Sequence, residues 1–170
     1  MSERRSRRRK LTVEVIANDG NGRWDWVEDV HALVQAAAAE VATEPSLDIA
    51  PAAMTVVLSN DAEVAQLNGQ YRGKPKPTNV LSFPAGEGAE PGFAGDIVIA
   101  AETVLREAQA DDIPPEHHLT HLVVHGMLHL LGFDHENEAD AHRMESAEIA
   151  ILARLGVANP YTGPLNTSKT

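Results

Sequence analysis

His125-Gly126-Met127-Leu128-His129-Leu130-Leu131-Gly132-Phe133-Asp134-His135 is the stretch that decides how this chain folds. Its first two imidazoles stand four residues apart, so on a helix they project from one face. Gly132, three residues past His129, can end that helix and turn the chain back. The turn would return His135 to the same point in space as His125 and His129. Three imidazole nitrogens with one coordination position left open make the pattern of a catalytic zinc, not a structural one. The chain has no cysteine, which excludes disulfides and thiolate ligands alike. Any zinc must then be held through nitrogen and oxygen.

Working outward, Pro114-Pro115 opens this helix, proline being tolerated in a first turn. Behind it lie an alanine-rich helix and the run Asp96 to Ala100, whose near-continuous apolar character predicts a strand. Val80 to Phe83 predicts a short strand stopped by Pro84, and the four glycines of residues 85–95 predict a loop. Met54 to Leu58 is a β-branched run, and residues 11–17 alternate apolar with polar, which predicts two more strands. Helices are expected from Trp24 to about Ala42, from a cap at Asn60 or Asp61, and from about Glu138 to Leu155, stopped by Gly156. The sum is an α+β fold, a single domain with a small mixed four-stranded sheet packed with helices and a zincin-like metal-binding helix. The expected organisation is a basic arm over residues 1–10, one metallohydrolase domain over 11–158 and a polar tail over 159–170.

Charge limits what the domain can bind. The chain carries 14 basic and 25 acidic side chains, net −11, at 43% apolar content over 170 residues. Six of the basic residues sit in the first ten positions, so the other 160 residues hold 8 basic and 24 acidic side chains and carry −16. Such a body argues against broad, unaided binding to a phosphate backbone. No segment approaches the ~20 apolar residues of a membrane span. Glu14 and Asp19 interrupt what would be the apolar part of a signal peptide. A protein of the cytoplasm is expected.

Three of the eight basic residues outside the arm fall within five positions of one loop, Tyr71-Arg72-Gly73-Lys74-Pro75-Lys76-Pro77-Thr78. Prolines stiffen it, a guanidinium can grip a phosphate with two hydrogen bonds, and lysines add point charge. A solvated turn with its arginine paired to a nearby acid is the competing reading.

The histidine spacing equals that of the metzincin zinc proteases, whose HExxHxxGxxH pattern places a glutamate after the first histidine as general base. Here that position is Gly126, so peptidase chemistry is disfavoured. Together with Asn79-Val80-Leu81-Ser82-Phe83-Pro84 and Gly95-Asp96-Ile97, the loop and the histidine stretch resemble the YbeY family of bacterial metal-dependent endoribonucleases. The resemblance runs from about residue 54 to residue 150, with Phe133 where tyrosine is commoner. It implies cleavage of single-stranded RNA, maturation of ribosomal RNA ends and ribosome quality control. It further implies zinc on His125, His129 and His135 and a functional arginine at Arg72.

On this reading Arg72 and the metal-bound His125 are catalytic residues, Arg72 and Lys74 place the scissile phosphate, and His121 is a candidate substrate contact. His121, one turn before His125, could equally be a partner of a ligand or a structural histidine. Asp134 could orient a ligand imidazole or cap the turn. The base is open between metal hydroxide, His121, Asp134 and solvent, and the nucleophile between hydroxide and the ribose 2′-OH. One zinc is expected, although imidazoles suit other divalent ions. The acidic body suggests that ribosomal proteins or an Era-like GTPase deliver the RNA. The alternatives are a metallohydrolase of another substrate class, such as a degenerate peptidase or amidase, and a non-enzymatic ribosome-assembly factor.

Overall fold

The computed structural model describes residues 11–17, 23–47, 50–133 and 137–161. Four strands, β1 (Leu11–Ala17), β2 (Ala52–Ser59), β3 (Val80–Pro84) and β4 (Phe93–Ala100), form one sheet in the order β1-β2-β4-β3. β1, β2 and β4 run parallel, and β3 lies antiparallel on the β4 edge, with Val80 opposite Ile99 and Pro84 opposite Gly95. Five helices are described: α1 (Val30–Ala42), α2 (Asp61–Arg72), α3 (Ala101–Ala110), α4 (Pro115–Leu130) and α5 (Glu138–Arg154). The α+β class with a mixed four-stranded sheet is as the sequence predicts.

The apolar run of β4 has a simple cause, for both of its faces are covered. Ile97 and Ile99 point into the main core with Met54, Val56 and Leu58 of β2. There they meet Val34 and Val41 of α1, Val123 and Met127 of α4, and Ile151 and Leu152 of α5. Val98 and Ala100, out of phase by one residue, join Val64 of α2 and Leu81 of β3 in a second cluster on the other face. Helix α4 is therefore a core helix. Truncating Met127, which is fully buried, would cost about 2–5 kcal/mol.

Local chemistry accounts for the ends. Pro115 occupies the first turn of α4, as expected. At its other end Gly132, with φ 103°, receives the chain, its N–H donating to the His129 carbonyl and that of Phe133 to the Leu128 carbonyl. This is a Schellman stop, which needs a left-handed residue and so selects glycine. The chain leaves α4 at the position the sequence predicts. His135, Asp134 and Glu136 lie outside the described residues, as do the arm 1–10 and residues 162–170.

Three boundaries differ from expectation. The first helix begins at Val30, not Trp24, because the Asp29 side chain caps it by accepting from the Ala32 N–H at 3.0 Å. Trp24 and Val27, which mimic a helical stripe, are buried from the turns before it, with Trp24 stacked on Trp26. The second helix continues through Arg72, so the loop's first two residues form its last turn before Gly73 at φ 70°. β4 starts at Phe93, paired with Ala53, instead of at Asp96. Gly95 is inside it at φ 140°, where a Cβ would collide with the Phe83 carbonyl of the neighbouring strand. Among the described residues no helix is long and apolar enough to cross a membrane.

Candidate functional site

Helix α4 carries His121, His125 and His129 one turn apart along the face that leaves the core. Their rings follow one another edge to face, with centroids 6.2 Å apart for His121 and His125 and 5.5 Å apart for His125 and His129. Gly126, one position on, is turned about 100° around the helix, toward the sheet. It is buried, and a Cβ there would meet three side-chain atoms of Ile97 at 3.2–3.3 Å. The place where a metzincin carries its glutamate thus faces the sheet, and α4 packs against β4 at a distance that only glycine permits without a shift.

Beneath the histidines lies Glu148 of α5, with no exposed surface. Its Oε2 is 2.5 Å from His125 Nδ1 and its Oε1 3.2 Å from His121 Nε2, and the Tyr161 hydroxyl donates to the same Oε1. An ionised carboxylate can only accept, so both imidazoles carry their proton on the nitrogen that faces Glu148. Burial alone would raise the Glu148 carboxyl. Donation from His121 and His125, the positive potential of the His125 ring and the Tyr161 hydroxyl outweigh it, bringing the pKa from its ordinary 4.5 down to about 2. Tyr161 is pushed upward by burial and by that carboxylate, which keeps its hydroxyl a donor.

The ligand atoms of His121, His125 and Glu148 lie within 4.8 Å of one another, a group that could hold a metal ion. The shortest separation in it limits how. Two ligands of a tetrahedral zinc with 2.0–2.1 Å bonds stand about 3.3 Å apart. The 2.5 Å between His125 Nδ1 and Glu148 Oε2 is a hydrogen bond instead. With Nδ1 so engaged, Nε2 is the nitrogen through which His125 can coordinate, and a carboxylate on the second ring nitrogen is the usual support of a ligand histidine. The donor set, neutral imidazole backed by a buried anion, fits a divalent ion of the zinc class.

These histidines line an open cleft of about 640 Å³ whose facing wall is β3, from Val80 to Pro84, with Tyr71 and Arg72 at one end and Tyr161 at another. The structure therefore brings Arg72, His121, His125 and His129 to one cavity. Lys74 is exposed on the turn beyond and does not line it. The competing reading of the loop, an arginine paired to an acid, is not what is seen. Among the described residues Arg23 pairs with Glu102, Arg106 with Asp61 and Arg154 with Glu40 and Glu44, while Arg143 sits over the Phe133 ring. No acid or ring partners Arg72, Lys74 or Lys76 among those residues. The turn that holds them is itself braced, since the Asn68 amide donates to the Lys76 carbonyl at 3.0 Å and Pro75 packs where a side chain on Gly69 would stand.

Sequence reasoning missed Glu148 and Tyr161. Glu148 was legible. It shares a helical stripe with Met144, Ile151 and Leu152, all fully buried, and an acid on such a stripe must find partners. Tyr161 follows no spacing rule. It lies past the boundary expected at residue 158, yet its ring sits 5.8 Å from His121. His118 pairs at 2.9 Å with Glu107, which also accepts from the Asn79 amide. That bond from His118 holds the Glu107 carboxyl below its ordinary range against burial, and it ties α4 and α3 to the residue before β3. His117 is half-buried, and His31 and His142 are exposed away from the cleft.

Comparison with known proteins identifies the family. The profile of the family described as Endoribonuclease YbeY matches residues 18–156. The chain is 46% identical over 159 residues to Endoribonuclease YbeY of Azorhizobium caulinodans, covering 91% of this chain and 98% of that one. It is 48% identical over 145 residues to the protein of the same name from Bradyrhizobium diazoefficiens, covering 81% and 79%. For the namesake from Rhodopseudomonas palustris the identity is 48% over 160 residues, covering 91% and 83%. The solution structure of TM1509 from Thermotoga maritima shares the fold, with a TM-score of 0.54 at 22% identity over 90% of this chain and 99% of that one. A histidine-bearing core helix, a glycine in place of the protease glutamate and an arginine across the cleft with no acid partner among the described residues thus coincide with a match over most of the sequence, and the chain belongs to the YbeY endoribonuclease family.

Proposed function

We propose that the chain is a metal-dependent endoribonuclease of single-stranded RNA, working in the cytoplasm in ribosomal RNA maturation and ribosome quality control. The observation that carries this reading is the cleft itself. Histidines oriented by a buried carboxylate face an arginine that has no acid partner among the described residues. The endoribonuclease name of its relatives supports the same substrate class.

One zinc ion is assigned to His125, His129 and His135, although other divalent ions suit the same donors. When bound, such an ion lowers the pKa of a coordinated water towards ~7 and polarises a phosphoryl oxygen. The chain's own residues supply the rest. Glu148 fixes the tautomer of His125 through one oxygen, and Tyr161 and His121 donate to the other. Arg72, with charge from Lys74, grips the scissile phosphate and neutralises charge as it develops. His121 contacts substrate from the cleft wall. Gly126 takes no part in proton transfer, because position 126 faces Ile97.

The strongly acidic body fits an enzyme to which ribosomal proteins or an Era-like GTPase bring the RNA, so that affinity for bare RNA is low and sensitive to salt. The test is cleavage of a single-stranded RNA by the full chain with and without a chelator, metal content being measured on the same sample. Cleavage that tracks the ion and is lost in His129→Ala agrees with the reading. Cleavage indifferent to chelation, or peptide hydrolysis without RNA cleavage, overturns it.

A further inference from the structure

Tyr71 is 68% exposed, and the only other large hydrophobic side chain left exposed among the described residues is Ile16, at 39%. A ring so placed gives up burial unless a ligand covers it. It is not loose. It rests edge to face on Phe83 with centroids 5.1 Å apart, on the last turn of a helix whose exit is braced by Asn68 and Pro75. It lines the same cleft as His121, His125 and His129 and immediately precedes Arg72.

We infer that Tyr71, backed by Phe83, is a nucleobase subsite, the shelf on which the base beside the scissile phosphate stacks. The inference rests on the nuclease reading above and names how that site selects its substrate. A flat π face beside cations that have no acid partner among the described residues is the combination that recognises a nucleotide, with stacking for the base and charge for the backbone. A protein partner would call for a contiguous apolar patch, whereas the neighbours of Tyr71 on its turn are Arg72, Lys74 and Lys76. Stacking on a side chain requires a base whose face is not already covered. In an A-form duplex both faces are occupied by neighbours, so the shelf admits an unpaired strand and refuses a paired one.

The test reads binding apart from cleavage. Chelator-treated full chain is titrated with a short single-stranded RNA, beside Tyr71→Ala and Tyr71→Phe, and with the same RNA carrying one abasic site at each position in turn. Tyr71→Phe keeps affinity within about twofold, and Tyr71→Ala loses about 5- to 100-fold. At one position the abasic RNA binds the unaltered chain as weakly as the intact RNA binds Tyr71→Ala, and Tyr71→Ala does not sense that lesion. Annealing a complementary strand removes the difference between the unaltered chain and Tyr71→Ala. Equal affinity of Tyr71→Ala and the unaltered chain for the single strand, in a protein that still cleaves when metal is restored, overturns the subsite and leaves the nuclease reading standing. A chain that neither binds nor cleaves overturns both. Thermal unfolding of the variants checks that each is folded.

Discussion

Helix α4 reaches the cleft from inside the core, whereas the turn after α2 reaches it from outside. The α4 histidines share their helix with buried residues such as Val123 and Met127, and His121 and His125 rest on Glu148, a carboxylate with no exposed surface. Arg72, at the end of α2, and Lys74 and Lys76, on the braced turn that follows, stand in solvent. The contrast teaches where each kind of damage should be felt. A change in the helix should alter the fold or the binding of an ion, and a change at the exposed turn should alter how RNA is held and cleaved while leaving the fold intact.

The sharpest way to break that division is Gly126→Glu, which restores the letters of a metzincin motif. Position 126 faces Ile97 at a spacing that leaves no room even for a Cβ without a shift, so the substitution buries an unpaired carboxylate in the core. A loss of more than about 4 kcal/mol is expected, visible as failure to fold or a collapsed Tm, with no gain of peptide hydrolysis. A folded, proteolytic Gly126→Glu would show that the helix is rotated from the orientation described.

Next in size, Arg72→Ala should lower kcat on single-stranded RNA about 100- to 1,000-fold, with Tm and metal content unchanged, because the side chain has no acid partner among the described residues to leave behind. Glu148→Gln should behave in the opposite way. Metal affinity falls about 10- to 100-fold when a ligand histidine loses its carboxylate support, and competition with a chromogenic chelator measures it.

Acid sharpens the same comparison. Glu148 has its folded pKa depressed, from 4.5 to about 2, so its contribution to stability is complete above about pH 4.5 and is lost as pH falls towards 2. A series of Tm values for the chelated protein across that window should fall more steeply for the unaltered chain than for Glu148→Gln. The smallest effect is expected from the cations that do have partners. Arg23→Ala removes a surface pair with Glu102 and should cost about 0–1 kcal/mol, with cleavage unaffected.

The stop of α4 could be read directly, since only a left-handed residue closes a Schellman turn and glycine stands in that place. The strand β4 was equally plain, its unbroken apolar run being what a strand covered on both faces requires. The start of α1 was not. Trp24 and Val27 are buried through turns, and their apolar character is the same in either conformation. Glu148 announced itself as an acid among Met144, Ile151 and Leu152, but which donors answer it depends on the packing of α5 against α4.

By itself the amino-acid order determined the helix with its histidines in register, the glycine that ends it, the lack of thiolate ligands and the surplus of cations in one turn, because each follows from local geometry or from residue chemistry. Only the tertiary structure decided that Gly126 faces the sheet, that Glu148 and Tyr161 lie under the imidazoles and that Tyr71 stands uncovered beside Arg72. Those facts join residues up to 13 positions apart in one case and across separate elements in the others, and such meetings are set by how helices and sheet share a core.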